Sequence, residues 1–80
     1  MEGQEIAGRV KKVIGRVLKM DPAVIGDDDN FIFDLGADSM QSVQLIAAFE
    51  QEFDIEMAED KALQVQSVSG AVDFIAGYLP

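Results

Sequence analysis

The chain has 80 residues, 49% of them apolar, with no cysteine, no histidine and a net charge of −9. That length sets one domain, residues 1–80, near the lower limit for folding without disulfides or metals. The two missing residue types exclude a disulfide framework, a thiolate metal site, and the commonest general base and metal ligand.

The charge is uneven. Residues 1–19 carry five Lys/Arg against two Glu, a net +3, whereas residues 20–80 carry one Lys against thirteen Asp/Glu, a net −12. A body this acidic repels nucleic-acid phosphates, which excludes nucleic acid as a partner. It suits partners with basic patches found by electrostatic steering, or it serves solubility alone. No run approaches the roughly 20 apolar residues of a membrane span, and no signal peptide precedes the first helix. The expectation is a soluble, cytoplasmic monomer with no stable membrane insertion.

From Ile6 to Leu18, the residues Ile6, Val10, Val13, Ile14 and Val17 follow helical spacing on one face. Arg9, Lys12, Arg16 and Lys19 form a basic stripe on another, read as a solvated outer face, with a membrane-surface helix as the alternative. Glu5 precedes Arg9 by four residues, the favourable order for a helix pair. Pro22 disfavours helical geometry at Asp21 and ends the helix thereabouts. Residues 21–38 form a long connection, which Val24, Ile25, Phe31, Ile32 and Leu35 should pin down. Its acidic knot, Asp27-Asp28-Asp29-Asn30, lacks the glycine and distal glutamate of an EF-hand and reads as a solvated turn.

The next helix starts at Ser39 and runs to about Asp54. Asp38 is a strong N-cap type with Gln41 three residues on, the spacing of a capping box. Gly36 lets the backbone turn tightly before the cap. Leu45, Ile46, Phe49 and Phe53 share the core face, while Met40, Val43 and Ala47 continue on an arc wider than a small bundle buries. Those three are either core or an exposed docking surface, with Gln44, Glu50 and Gln51 around it. Met57 to Leu63 fits one or two helical turns, and Ser67 or Ser69 caps a last helix with Val68, Val72, Ile75 and Leu79 in register. No segment alternates with period two. The fold class is therefore all-α: a small antiparallel bundle of three main helices and one short helix, with a long loop between the first and second.

No catalytic group and no metal-ligand set emerge from this inventory. A serine nucleophile needs a base; histidine is absent, and Lys61 is the single lysine beyond residue 19. Ser39, presented at a rigid helix start, is suited to being modified by another enzyme, or else merely helps cap the helix. A phosphate ester there would meet helix N-terminal amides that favour anions.

The run Asp34-Leu35-Gly36-Ala37-Asp38-Ser39-Met40 resembles the D-L-G-x-D-S-L motif of the acyl carrier protein family, with methionine in the last place. The likeness extends to the segment Val10 to Gly15, to Glu50–Glu56 and to the closing helix. It implies a carrier, not an enzyme. A 4′-phosphopantetheine from coenzyme A would be attached to Ser39, beside Asp38, by a phosphopantetheinyl transferase and would hold acyl groups as thioesters. Partners would be acyl-transfer and synthase enzymes with basic patches, in fatty-acid, lipid or polyketide biosynthesis. By matching position the docking residues would be Asp38, Met40, Val43, Gln44, Ala47, Glu50 and Glu56, and those of an acyl-chain cavity Phe31, Leu45, Ile46, Phe49, Ala62, Val65 and Ile75. Such a bundle should pack loosely, which suits small residues such as Ala62 and Ala71. Gln41, Gln44 and Gln51 replace acidic residues usual in fatty-acid carriers, and Phe33 and Leu63 replace polar ones, implying a specialised rather than housekeeping member. The alternative is an acidic helical protein-interaction or divalent-cation-binding module without a prosthetic group.

Overall fold

The computed structural model describes residues 2–79. Its helices are α1 (Gly3–Leu18), α2 (Ser39–Phe53), α3 (Glu59–Ala62) and α4 (Val68–Ala76), with a single 3-10 turn at Pro22–Val24. Among the described residues there is no strand; one antiparallel bridge joins Asn30 to Ser67. This is the small helical bundle expected, with its long first loop.

The centre of the molecule is α1, which packs against both α2 and α4. Its Ile6, Val10, Val13 and Ile14 are all but inaccessible to solvent. They meet Leu45, Phe49 and Phe53 from α2 and Val68, Ala71 and Ile75 from α4 in one core. Ile46 and Val72, expected on the core stripes, are only half-buried at its margin.

The first helix ends at Leu18, four positions before Pro22, not at it. Lys19 takes a left-handed conformation (φ 57°) and its N–H caps the Gly15 carbonyl. The chain then folds back over Gly15 so closely that a Cβ there would lie 2.6 Å from the Met20 carbonyl oxygen. Glycine at 15 is thus what lets α1 end in this tight cap.

Three side chains anchor the long loop: Ile25, Phe31 and Ala37, each buried. Val24 and Ile32, expected to help, are 66% and 44% exposed. The 3-10 turn gives the inward position to Ile25 and turns Val24 out. Backbone bonds from Phe31 N–H to Gln66 O and from Val68 N–H to Asp29 O, each 2.9 Å, stitch the loop to the start of α4. The acidic knot is put to structural use as well. Lys11 pairs with Asp27 at 2.6 Å, and Asp29 Oδ2 accepts the Gly26 N–H at 2.7 Å.

Arg9 leaves the solvated stripe in which its spacing placed it. Its Nε donates to Glu52 Oε2 at 2.8 Å, its Nη2 to the Glu52 carbonyl at 2.5 Å, and its guanidinium lies 4.6 Å from the Phe53 ring centre. One side chain thereby ties α1 to the far end of α2.

Candidate functional site

Ser39 is the first residue of α2 and is exposed. The capping box is complete: Asp38 Oδ1 accepts the Gln41 N–H at 2.7 Å, and Gln41 Oε1 accepts the Asp38 N–H at 3.1 Å. Ser42 Oγ also donates to the Asp38 carbonyl at 3.0 Å. Upstream, Gly36 sits at φ +77°, where only glycine is unstrained, and the buried Ala37 donates its N–H to the Phe31 carbonyl at 2.8 Å. The turn, the buried alanine and the cap together fix where the serine stands. The amides of Ser39 and Met40, which no helical carbonyl can reach, make no hydrogen bond within the described chain.

Ser39 borders a cavity of about 270 Å³. All seven residues that the family resemblance implies for an acyl-chain cavity line it: Phe31, Leu45, Ile46, Phe49, Ala62, Val65 and Ile75. Its buried members form the floor, and the exposed Ile32, Ser39, Val43 and Leu63 form the rim. The wall residues missed were Met57, Gln66 and Phe74 among others. Met57, read from the sequence as the start of the short helix, lies in the link before α3, which begins only at Glu59, and Phe74 is one position off the α4 core stripe, so periodicity carries no signal for either. Phe74 also meets Tyr78 edge-on, with ring centres 5.3 Å apart, and the Tyr78 hydroxyl accepts the N–H of Ala58, the N-cap of α3.

The residues named for docking fall into two groups. Val43, Ala47, Glu50 and Glu56 line a shallow groove together with Ile46, Met57 and Glu59. Asp38, Met40 and Gln44 are exposed but lie outside that groove. Glu50 has a structural task, since its Oε2 accepts the Met57 N–H at 2.8 Å and so holds the link into α3 against α2. Among the described residues, no three carboxylates converge as a metal site, and no helix is long and apolar enough to cross a membrane.

A phosphate-linked arm ending in a thiol fits this site. The hydroxyl is exposed, two unpaired amides and the positive end of α2 favour an anion beside it, and an apolar cavity opens at the same point. The sequence matches the family described as "Phosphopantetheine attachment site" over residues 8–75, which defines a carrier built around a covalently attached 4′-phosphopantetheine. It is 46% identical over 71 residues to an acyl carrier protein of Caulobacter vibrioides, covering 89% of this chain and 91% of that one. It is 45% identical over 71 residues to an acyl carrier protein of Phenylobacterium zucineum, covering 89% and 90%. A solved structure from Mycobacterium tuberculosis, described as a candidate acyl carrier protein, superposes with a TM-score of 0.82 at 29% identity, covering 90% of this chain and 96% of that one. The chain belongs to the acyl carrier protein family. Like its relatives it is a carrier, not a catalyst, and its partners include a phosphopantetheinyl transferase and acyl-handling enzymes.

Proposed function

We propose that Ser39 is the attachment residue and that the cavity beside it shelters the acyl chain. In this reading, Ser39 Oγ attacks the pantetheine-bearing phosphorus of the coenzyme A diphosphate, and the adenosine bisphosphate is the leaving group. The Oγ–P bond forms, the P–O bond to the adenosine part breaks, and a base of the transferase takes the hydroxyl proton, because this chain has no histidine to do so. Asp38 holds the serine in place through the capping box while its charge is partly engaged by the Gln41 amide. Once bound, the pantetheine arm supplies the thiol on which acyl groups are held as thioesters. Phe31, Leu45, Ile46, Phe49, Ala62, Val65 and Ile75 then offer the chain a dry lining.

One observation carries this reading: a rigidly capped, exposed serine stands on the rim of an apolar cavity. Met40, Val43, Gln44, Ala47, Glu50 and Glu56 supply the surface that partner enzymes approach. With glutamines at 41, 44 and 51 replacing charge, the protein serves as a specialised carrier, a cytoplasmic monomer delivering acyl groups to fatty-acid, lipid or polyketide enzymes. Mass spectrometry after incubation with coenzyme A and a phosphopantetheinyl transferase tests the attachment. A gain of one phosphopantetheine that Ser39→Ala abolishes is expected; an unchanged wild-type mass overturns it.

A further inference from the structure

Phe33 is 86% exposed, the most open of the large apolar side chains, and it packs against nothing in the core. Its backbone is nevertheless held firmly. Asn30 Oδ1 accepts the N–H of both Ile32 and Phe33, at 2.9 and 3.0 Å, and Asp34 Oδ2 accepts the Asn30 N–H at 2.7 Å. The N–H groups of Asp34 and Leu35 both donate to the Asn30 carbonyl at 3.0 Å, and that of Gly36 to the Ile32 carbonyl at 3.1 Å. The backbone that carries this ring is held in advance, so binding has only the two side-chain torsions of Phe33 left to order. Its neighbour Ile32 lies on the rim of the cavity with Ser39, Val43 and Leu63, which makes the exposed apolar surface continuous with the serine site.

Three kinds of surface could cover such a patch. A net charge of −12 over residues 20–80 repels an anionic lipid surface, and it repels a second copy of this chain equally. An enzyme surface bearing an apolar pocket ringed by Lys and Arg matches both features, since the acidic Asp34, Asp38, Glu56 and Glu59 are also exposed. Size makes the contact hard to avoid. A standard interface covers about 800 Å² per partner, a disc of roughly 16 Å radius. On a molecule measuring 31 × 25 × 18 Å such a disc spans much of one face, and the bonds from Gly36 to Ile32 and from Ala37 to Phe31 fold the turn that carries Phe33 back towards Ser39.

Building on the assignment of Ser39, we propose that Phe33 is the apolar anchor by which enzymes acting at that serine hold this carrier. They carry a matching apolar pocket with a basic rim. Affinity for them rests on this ring as well as on charge, and that share of it does not vanish in salt.

The test is steady-state modification of the full-length protein by coenzyme A and a phosphopantetheinyl transferase, comparing wild type with Phe33→Ser. The serine touches no core residue, so the melting temperature should not change. KM for the carrier should rise about tenfold with kcat unaltered, the loss expected for a central apolar anchor. The ratio of the two KM values should hold from about 50 to about 500 mM NaCl, a range over which screening removes effects of exposed charge. Equal KM values for the two proteins overturn the anchor while leaving Ser39 as the attachment point. A wild type that takes no pantetheine overturns the attachment and the anchor together. Phe33-dependent dimerisation in sedimentation, or Phe33-dependent flotation with zwitterionic vesicles, also overturns it by naming a different occupant.

Discussion

Replacing Ala71 by leucine should stabilise the unloaded protein and abolish the benefit of carrying an acyl chain. Ala71 is buried in α4 and forms part of the cavity wall. An unfilled cavity costs about 24 cal/mol per Å³ in forgone packing. The 270 Å³ here therefore sets an upper bound of about 6 kcal/mol, upper because the exposed rim admits water. That bound is a large part of the roughly 4–12 kcal/mol expected for a chain of this size. Leucine adds three carbons to the wall at about 0.8 kcal/mol each, less about 0.5–1 kcal/mol of lost rotamer freedom. The net gain is about 1.5 kcal/mol, which raises the melting temperature by roughly 6–12 °C. Circular dichroism melts of the unloaded protein and of protein loaded from a medium-chain acyl-coenzyme A supply the assay. Wild type should melt higher when loaded, because the chain fills the cavity, whereas Ala71→Leu should show no further rise. The reasoning is refuted if the variant loses about 1 kcal/mol or more, the sign of overpacking, or if loading still stabilises it.

Arg9→Ala should cost about 2 kcal/mol in urea denaturation, combining a half-buried ion pair, a charged hydrogen bond to the Glu52 carbonyl and a cation–π contact. Arg9→Lys should recover less than half of that, since a lysine cannot stack and fork at once; a loss below about 0.5 kcal/mol for alanine would show the latch to be idle. Glu50→Ala should speed hydrogen exchange of the Met57 amide about fivefold, the equivalent of one ordinary hydrogen bond. Unchanged protection at Met57 would mean that Glu50 is free for docking alone.

Much of this molecule is legible residue by residue. The apolar stripe of α1, the box formed by Asp38 and Gln41, the turn at Gly36 and the Ser67 cap of α4 all follow from patterns within four positions along the chain. Periodicity and capping chemistry act at that range, so the start of α2 and the placing of Ser39 on it are legible in the sequence. The residues lining the cavity are legible only through likeness to a family motif, because periodicity cannot report an empty space.

Other features depend on which helices meet. Arg9 reads as part of a solvated stripe until α2 brings Glu52 and Phe53 against it, 43 and 44 positions away in sequence. Met57, in the link before α3, and Phe74, on α4, join the cavity only because the tertiary fold brings both beside residues of α2. Val24, Ile32, Phe31 and Phe33 are all apolar residues of one loop, yet only Phe31 among them is buried. The number of inward positions on that loop is set by the helices beneath it, and Ile25, Phe31 and Ala37 fill them. Local chemistry decided where the chain turns and which serine it presents. Packing over distance decided what lies beside that serine, because burial is settled between segments rather than within them.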